Sequence, residues 1–177
     1  MKKIIPLLFL LMSNFACGTA PSTSPLLTVN NVDLNKYLGR WYEIATYPQR
    51  FQKGLTNVSA TYALKKGYVE VYNTALKGNE PKDIKGKAYV VKNSNNAKLK
   101  VQFFWPFKGD YWIIDLDTDY KWAVVSDPTR TTLWILSRTP QMDNGLYQSI
   151  TESLGEKGYD LSKLVITDQS VNIKNTK

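Results

Sequence analysis

From residue 41 to residue 138 the chain alternates apolar and polar positions in short runs, each closed by turn-forming residues. The pattern is cleanest near residue 100, where Leu99, Val101 and Phe103 share one parity and Lys98, Lys100 and Gln102 take the other. Successive strand side chains point to opposite faces, so each run predicts a strand with one covered face and one face in solvent. Eight runs follow one another, at 41–48, 57–65, 68–76, 84–92, 97–105, 111–117, 121–127 and 131–138. Gly54, Gly67, Gly78 with Asn79, the 93–96 stretch, the 106–110 stretch and Asp127 with Pro128 punctuate them. Short strands joined by short turns predict an antiparallel up-and-down sheet, and eight of them suffice to close around one small ligand.

One stretch departs from this period. Leu146, Ile150 and Leu154 fall at helical spacing behind a turn-like 139–143 segment, and Gly155 or Gly158 ends the run. The predicted fold is therefore all-β: an eight-stranded antiparallel up-and-down β-barrel, one C-terminal α-helix packed outside it, and a short final edge strand at 164–167.

Parity also assigns the interior. Trp41, Glu43, Ala45 and Tyr47 share one face of the first strand; Thr132, Trp134, Leu136 and Arg138 share one face of the eighth. Ala45, Ala60, Ala75, Gly86, Ala88 and Ala123 are small residues at inward positions. They leave a barrel unfilled, which predicts a cavity; they would equally accommodate strand twist and inward-leaning aromatics. The candidate lining is Ala45, Tyr47, Val58, Ala60, Tyr62, Val71, Asn73, Ala88, Val101, Phe103, Tyr111, Ile113, Trp134 and Leu136. Tyr47, Asn73 and Tyr111 are the polar members expected near a ligand head group. A register step of one residue would turn a whole strand over.

Composition adds a destination. Lys2 and Lys3 precede an apolar stretch at 4–12 that is too short to span a bilayer, the pattern of a secretory signal. The expected division is a signal peptide at 1–16, a lipidated tether at 17–30 and one barrel domain at 31–177. Cys17 is the single cysteine, so no internal disulfide can form. Ala16 and Cys17 resemble a bacterial lipoprotein cleavage site, which implies acylation of Cys17 with palmitate-like chains. Ordinary cleavage would instead leave Cys17 as an exposed thiol or place Pro21 beside the cut. Gly18, not Asp, follows the cysteine, which points to outer-membrane sorting. The net charge is +8, and the lysines are dispersed along the strands. That describes a solvated sheet surface with a weak pull toward anionic lipid, not a nucleic-acid partner.

Catalytic chemistry finds little footing. The chain has no His, which removes Ser-His-Asp catalysis and the commonest zinc ligand. Asp115, Asp117 and Asp119 alternate as in a calcium loop, but Tyr120 stands where Gly is required and Ser126 where the closing Glu belongs. No phosphate loop or dinucleotide fingerprint is present. No catalytic residue, metal or cofactor is expected.

Three motifs carry a resemblance. Gly39-Arg40-Trp41, then Thr118-Asp119-Tyr120, then Arg138 resemble, in order and spacing, the three signature motifs of the lipocalins. The strings GRWYEIATYPQRFQKG and LWILSRTP are similar to bacterial lipocalins, outer-membrane lipoproteins related to apolipoprotein D. The resemblance covers about residues 30–168. It implies that Trp41 plugs the closed barrel end, that Arg138 packs across its ring and that Gly39 permits the turn beneath. Glu43 would then lie inside near the floor, where a buried carboxylate needs partners: hydrogen bonds to tyrosine or backbone groups are expected, the alternative being that it orients a ligand head group. The resemblance also implies a non-enzymatic, membrane-anchored protein of the outer membrane that binds a fatty acid, a lysophospholipid or a similar small lipid for storage or transport in envelope maintenance. A second reading stays open: an envelope interaction protein that binds a protein partner through its rim. Trp105, Phe107 and Trp112 would serve that role, a homodimer, or insertion into lipid.

Overall fold

The computed structural model describes residues 24–170. The signal segment and Cys17 lie outside the described residues. Strands β1 (Gly39–Thr46), β2 (Leu55–Lys65), β3 (Tyr68–Lys77), β4 (Glu80–Val90), β5 (Lys98–Gln102), β6 (Gly109–Leu116), β7 (Trp122–Ser126) and β8 (Leu133–Ser137) each pair antiparallel with the next. β1 pairs with β8 on one edge and with β2 on the other, so the sheet closes into the barrel the alternation predicts.

Two strand limits differ from the sequence reading by more than two residues. β4 starts at Glu80 rather than near residue 84 because Pro81 is accommodated. β4 pairs with β5 only from Lys87 to Val90, so at Pro81 one edge carries no ladder and a residue without an N–H is tolerated. β5 stops at Gln102, and residues 103–108 form a loop at the rim.

A short helix that the period did not announce, α1 (Leu34–Tyr37), sits across one barrel end, with the Asp33 side chain accepting from the Asn35 N–H at its start. α2 (Asn144–Glu156) is capped in the same way by Asp143, whose carboxylate accepts from the Leu146 N–H at 3.0 Å. β9 (Val165–Ile166) adds to β1 at Ala45 and Thr46. Residues 24–30, assigned to the tether from sequence, run along the wall: Leu26 is buried and the Val29 N–H donates to the Ile113 carbonyl.

Two apolar clusters result. One fills the lower barrel around Trp41, Tyr37, Leu99, Ile113, Ala123 and Val125. The other lies between the outer wall and α2, where Ile150 and Leu154 meet Ala45, Val124, Leu133 and Ile135. Burying one such aliphatic side chain contributes about 1.5–3 kcal/mol, so the helix is held chiefly by these contacts.

Ala45 and Tyr47 belong to this outer cluster, which corrects the sequence reading. The register of β1 against β8 slips between Glu43 and Ala45, leaving Ile44 as an extra residue. Such a bulge reverses parity beyond it. Trp41 and Glu43 point inward; Ala45 and Tyr47 point outward under α2. Tyr47 packs edge-on against Tyr159 and donates from its hydroxyl to the Asp160 carbonyl at 2.9 Å.

The three signature motifs meet at the closed end. Trp41 is wholly buried and donates from Nε1 to the Tyr37 carbonyl at 2.8 Å. The Arg138 guanidinium stands 3.8 Å from its ring centroid. Arg138 also donates to the carbonyls of Tyr120, Leu38, Arg40 and Lys36. One side chain thus ties β8, the β6–β7 turn, α1 and the start of β1. Gly39 has φ of 89°, and a β-carbon there would lie 3.4 Å from Arg138 Nη1. Tyr120, at φ of 60°, accepts on its hydroxyl from the Asp33 N–H. Asp115 pairs with Lys157 at 2.8 Å, Asp119 pairs with Lys121, and Asp117 accepts from the turn's own N–H groups.

Candidate functional site

Above the Trp41 plug the barrel is hollow. A cavity of about 500 Å³ opens at the end formed by the β1–β2, β3–β4, β5–β6 and β7–β8 connections. That is about three times the ~150 Å³ that accommodates a benzene-sized guest. Ten predicted residues line it: Val58, Ala60, Tyr62, Val71, Asn73, Val101, Phe103, Tyr111, Trp134 and Leu136. Ala88 and Ile113 are interior but lie lower. Ala88 borders a separate void of about 20 Å³ beneath Tyr62 and Tyr111, and Ile113 is wholly buried in the inner cluster. Ala45 and Tyr47 stand outside, for the reason given above.

The wall owes its spaciousness to small residues where large ones would meet. Phe103 lies close against Gly86: a β-carbon on that glycine would sit 2.7 Å from Phe103 Cδ1 and 2.9 Å from the Gln102 carbonyl oxygen. Only a residue without a side chain lets the ring rest on the wall. In β2 a register shift between Thr56 and Ser59 turns both Val58 and Ser59 toward the cavity.

The floor is a cluster of tyrosines. Tyr111 shares hydrogen bonds with Tyr37 at 2.8 Å and with Tyr62 at 3.0 Å. Three hydroxyl hydrogens serve these two bonds, so one is left to donate to another acceptor. Burial pushes all three phenols up, Tyr62 to about 12, so they are neutral donors at physiological pH.

Glu43 is the carboxylate of the enclosed wall. It is buried, and its side-chain partners are not the tyrosine or backbone groups expected from the sequence. Gln52 Nε2 donates to Oε2 at 2.8 Å and Thr167 Oγ1 donates to Oε1 at 2.6 Å. Burial raises its pKa, and the two hydrogen bonds offset this only in part. Gln52 comes from a 3-10 turn in the β1–β2 connection, and Thr167 from beyond β9. The other charged lining groups are engaged elsewhere. Lys108 sets its ammonium 4.7 Å from the centroid of Tyr89, and Asp110 pairs with Lys100 at 2.7 Å. Asp127 is pushed up by burial, but its hydrogen bonds from Thr129 and Thr132 outweigh this and bring it down to about 2.

Strand parity could have placed Glu43 on the lining, and did place it inward. Gln49, Phe51, Gln52, Lys108 and Thr131 come from the rim connections, where no period applies, whereas Thr132 shares the inward parity of Trp134 and Leu136.

A closed eight-stranded barrel, plugged at one end by a Trp–Arg pair and hollow at the other, is the cup of a small-molecule carrier fold. Residues 32–169 match the lipocalin-like domain, and the chain belongs to the lipocalin family. It is 38% identical over 176 residues to outer membrane lipoprotein Blc of Citrobacter freundii, covering 94% of this chain and 98% of that one. It is 42% identical over 152 residues to temperature-induced lipocalin-1 of Arabidopsis thaliana, covering 80% of this chain and 82% of that one. Among solved structures, insecticyanin from the tobacco hornworm Manduca sexta superposes with a TM-score of 0.67 at 21% identity, covering 84% of this chain and 87% of that one, and so speaks for the fold alone.

Proposed function

We propose that this lipocalin binds a single-chain lipid, a fatty acid or a lysophospholipid, with the acyl chain in the barrel cavity. It stores or moves that lipid for maintenance of the cell envelope, and it does so without catalysis. The observation that carries this reading is the cavity itself: about 500 Å³, open at one end, walled largely by Val, Ala, Phe, Leu and Trp side chains. Each methylene moved from water contributes about 0.8 kcal/mol, so ten contribute about 8 kcal/mol before the costs of association. The Tyr62–Tyr111–Tyr37 cluster offers a hydroxyl to an acceptor that reaches the floor.

The N-terminal pattern and the kinship with Blc proteins, whose name is outer membrane lipoprotein, support a mature chain beginning at acylated Cys17. Two or more acyl chains give the stable attachment that one chain does not. Native mass spectrometry with lipid extraction tests the ligand. A stoichiometric fatty acid or lysophospholipid on the purified protein is the expected result. A barrel that arrives empty and takes up no fluorescent fatty acid overturns it. The intact mass of the membrane-extracted protein tests the anchor: residues 17–177 plus acyl groups are expected, and a free Cys17 thiol refutes it.

A further inference from the structure

The open rim carries side chains that the cavity does not need. Phe51, Phe104, Trp105 and Phe107 are 76%, 69%, 87% and 77% exposed. They come from two connections, β1–β2 and β5–β6, that flank the cavity mouth, and Phe51 and Lys108 also line the mouth. Arg50, Lys53 and Lys108 are interleaved with these aromatics, and neither the 47–54 nor the 103–109 stretch contains an acidic residue. Aromatic side chains with interspersed cations suit the headgroup layer of an anionic bilayer: rings settle at the apolar boundary and cations meet lipid phosphates.

A separate observation fixes which barrel end faces the membrane. Arg130, in the β7–β8 connection at the open end, donates from Nη2 to the Ser24 carbonyl at 3.0 Å. From there the chain descends the wall: the Val29 N–H reaches Ile113, and the Val32 N–H reaches Asn95 at the closed end. The polypeptide therefore joins the barrel at its mouth. Cys17 lies seven residues before Ser24, a reach of at most about 25 Å even when fully extended.

We infer that the open rim docks on the lipid bilayer, with Phe51, Phe104, Trp105 and Phe107 in the headgroup region and the cavity mouth facing the lipid. This rests on the reading of Cys17 as acylated. A ligand then passes between bilayer and barrel without crossing bulk water. The rim is the contact, and the anchor only sets its distance and side.

The test uses the mature protein from membranes, reconstituted on vesicles of phosphatidylethanolamine and phosphatidylglycerol, with lipids brominated on the acyl chains near the headgroup. Tryptophan emission is expected to be quenched, and Trp105→Phe is expected to remove most of that quenching while the protein still sediments with the vesicles. Vesicle-bound protein with no bromolipid quenching, or with quenching unchanged by Trp105→Phe, overturns the inference. Trp105 shielded from both bromolipid and aqueous acrylamide, with a doubled mass in sedimentation, assigns the surface to a second copy and also overturns it. The intact mass judges the anchor separately. Unacylated protein that shows Trp105-dependent quenching keeps the rim contact and discards the anchor, and unacylated protein without it discards both.

Discussion

Gly86→Ala probes how the cavity is kept open. The added methyl would lie 2.7 Å from Phe103 Cδ1 and 2.9 Å from Cε1. Carbon atoms pack best at about 3.5–4.0 Å, so the ring must retreat by about 1 Å. The Gln102 carbonyl, at 2.9 Å, belongs to the strand paired with β4, and moving it opens the ladder at the Lys87–Gln102 pair. The free direction for the ring is the cavity. Overpacking of this kind costs about 1–3 kcal/mol, and the stiffer unfolded chain of alanine offsets about 0.4–1 kcal/mol. A net loss of about 1–2 kcal/mol lowers Tm by roughly 2–8 °C for a domain of this size. A ring displaced into the volume of one methylene weakens a long-chain ligand by about 0.8 kcal/mol, or about fourfold. Thermal unfolding followed by circular dichroism reads the first effect; displacement of a fluorescent fatty acid reads the second. Phe103→Leu in the same background removes the collision and is expected to restore most of both. A Gly86→Ala protein with unchanged Tm and affinity, or one that Phe103→Leu fails to rescue, would refute the account.

Three further outcomes follow from the same geometry. Arg138→Lys keeps the charge but cannot serve the four carbonyls, and urea titration is expected to show a loss of about 2–3 kcal/mol. Tyr111→Phe breaks both floor hydrogen bonds and is expected to cost about 1–2 kcal/mol, with Tyr37 and Tyr62 left unpaired; unchanged stability would mean the cluster is not held by these bonds. Glu43 has a folded pKa raised above its ordinary 4.5, so its contribution is fully present below that value and is lost as pH rises through the raised pKa. The stability difference between Glu43→Gln and the parent should therefore move in favour of Gln across that window and level off above it. A difference that ignores pH would contradict the burial of an ionised Glu43.

Alternation revealed the barrel because each strand has one dry face, and most of the inner face could be assigned from parity alone. It failed at Ala45 and Tyr47 because a bulge is a local backbone choice that leaves no mark on an apolar run. Ile44, Ala45 and Thr46 are all buried, so either register suits the composition. Glu43 could be placed inward, yet its partner Thr167 is 124 residues away, beyond the reach of any local pattern. Gln52, Phe51 and Lys108 reach the cavity from irregular connections. Phe103 shows the opposite case: its parity was plain, but its rotation against Gly86 is a packing fact visible only when two strands are laid side by side.

The seam between β1 and β2 has a temporal meaning. Strand pairing holds it only from Gly39 to Tyr42; above that, residues 165–169 fill it. The Thr167 N–H donates to the Ile44 carbonyl, the Asp168 carbonyl accepts from the Asn57 N–H, and Gln169 Nε2 donates to the carbonyls of both Glu43 and Val58 at 2.8 Å. The first strand is thus completed by a segment made more than a hundred residues after it. Contacts of such high sequence separation carry a loop-closure cost that is met before they reward the chain. The wall cannot be finished until residues 165–169 have been made and have docked on β1. A barrel without this segment keeps an open seam beside Glu43.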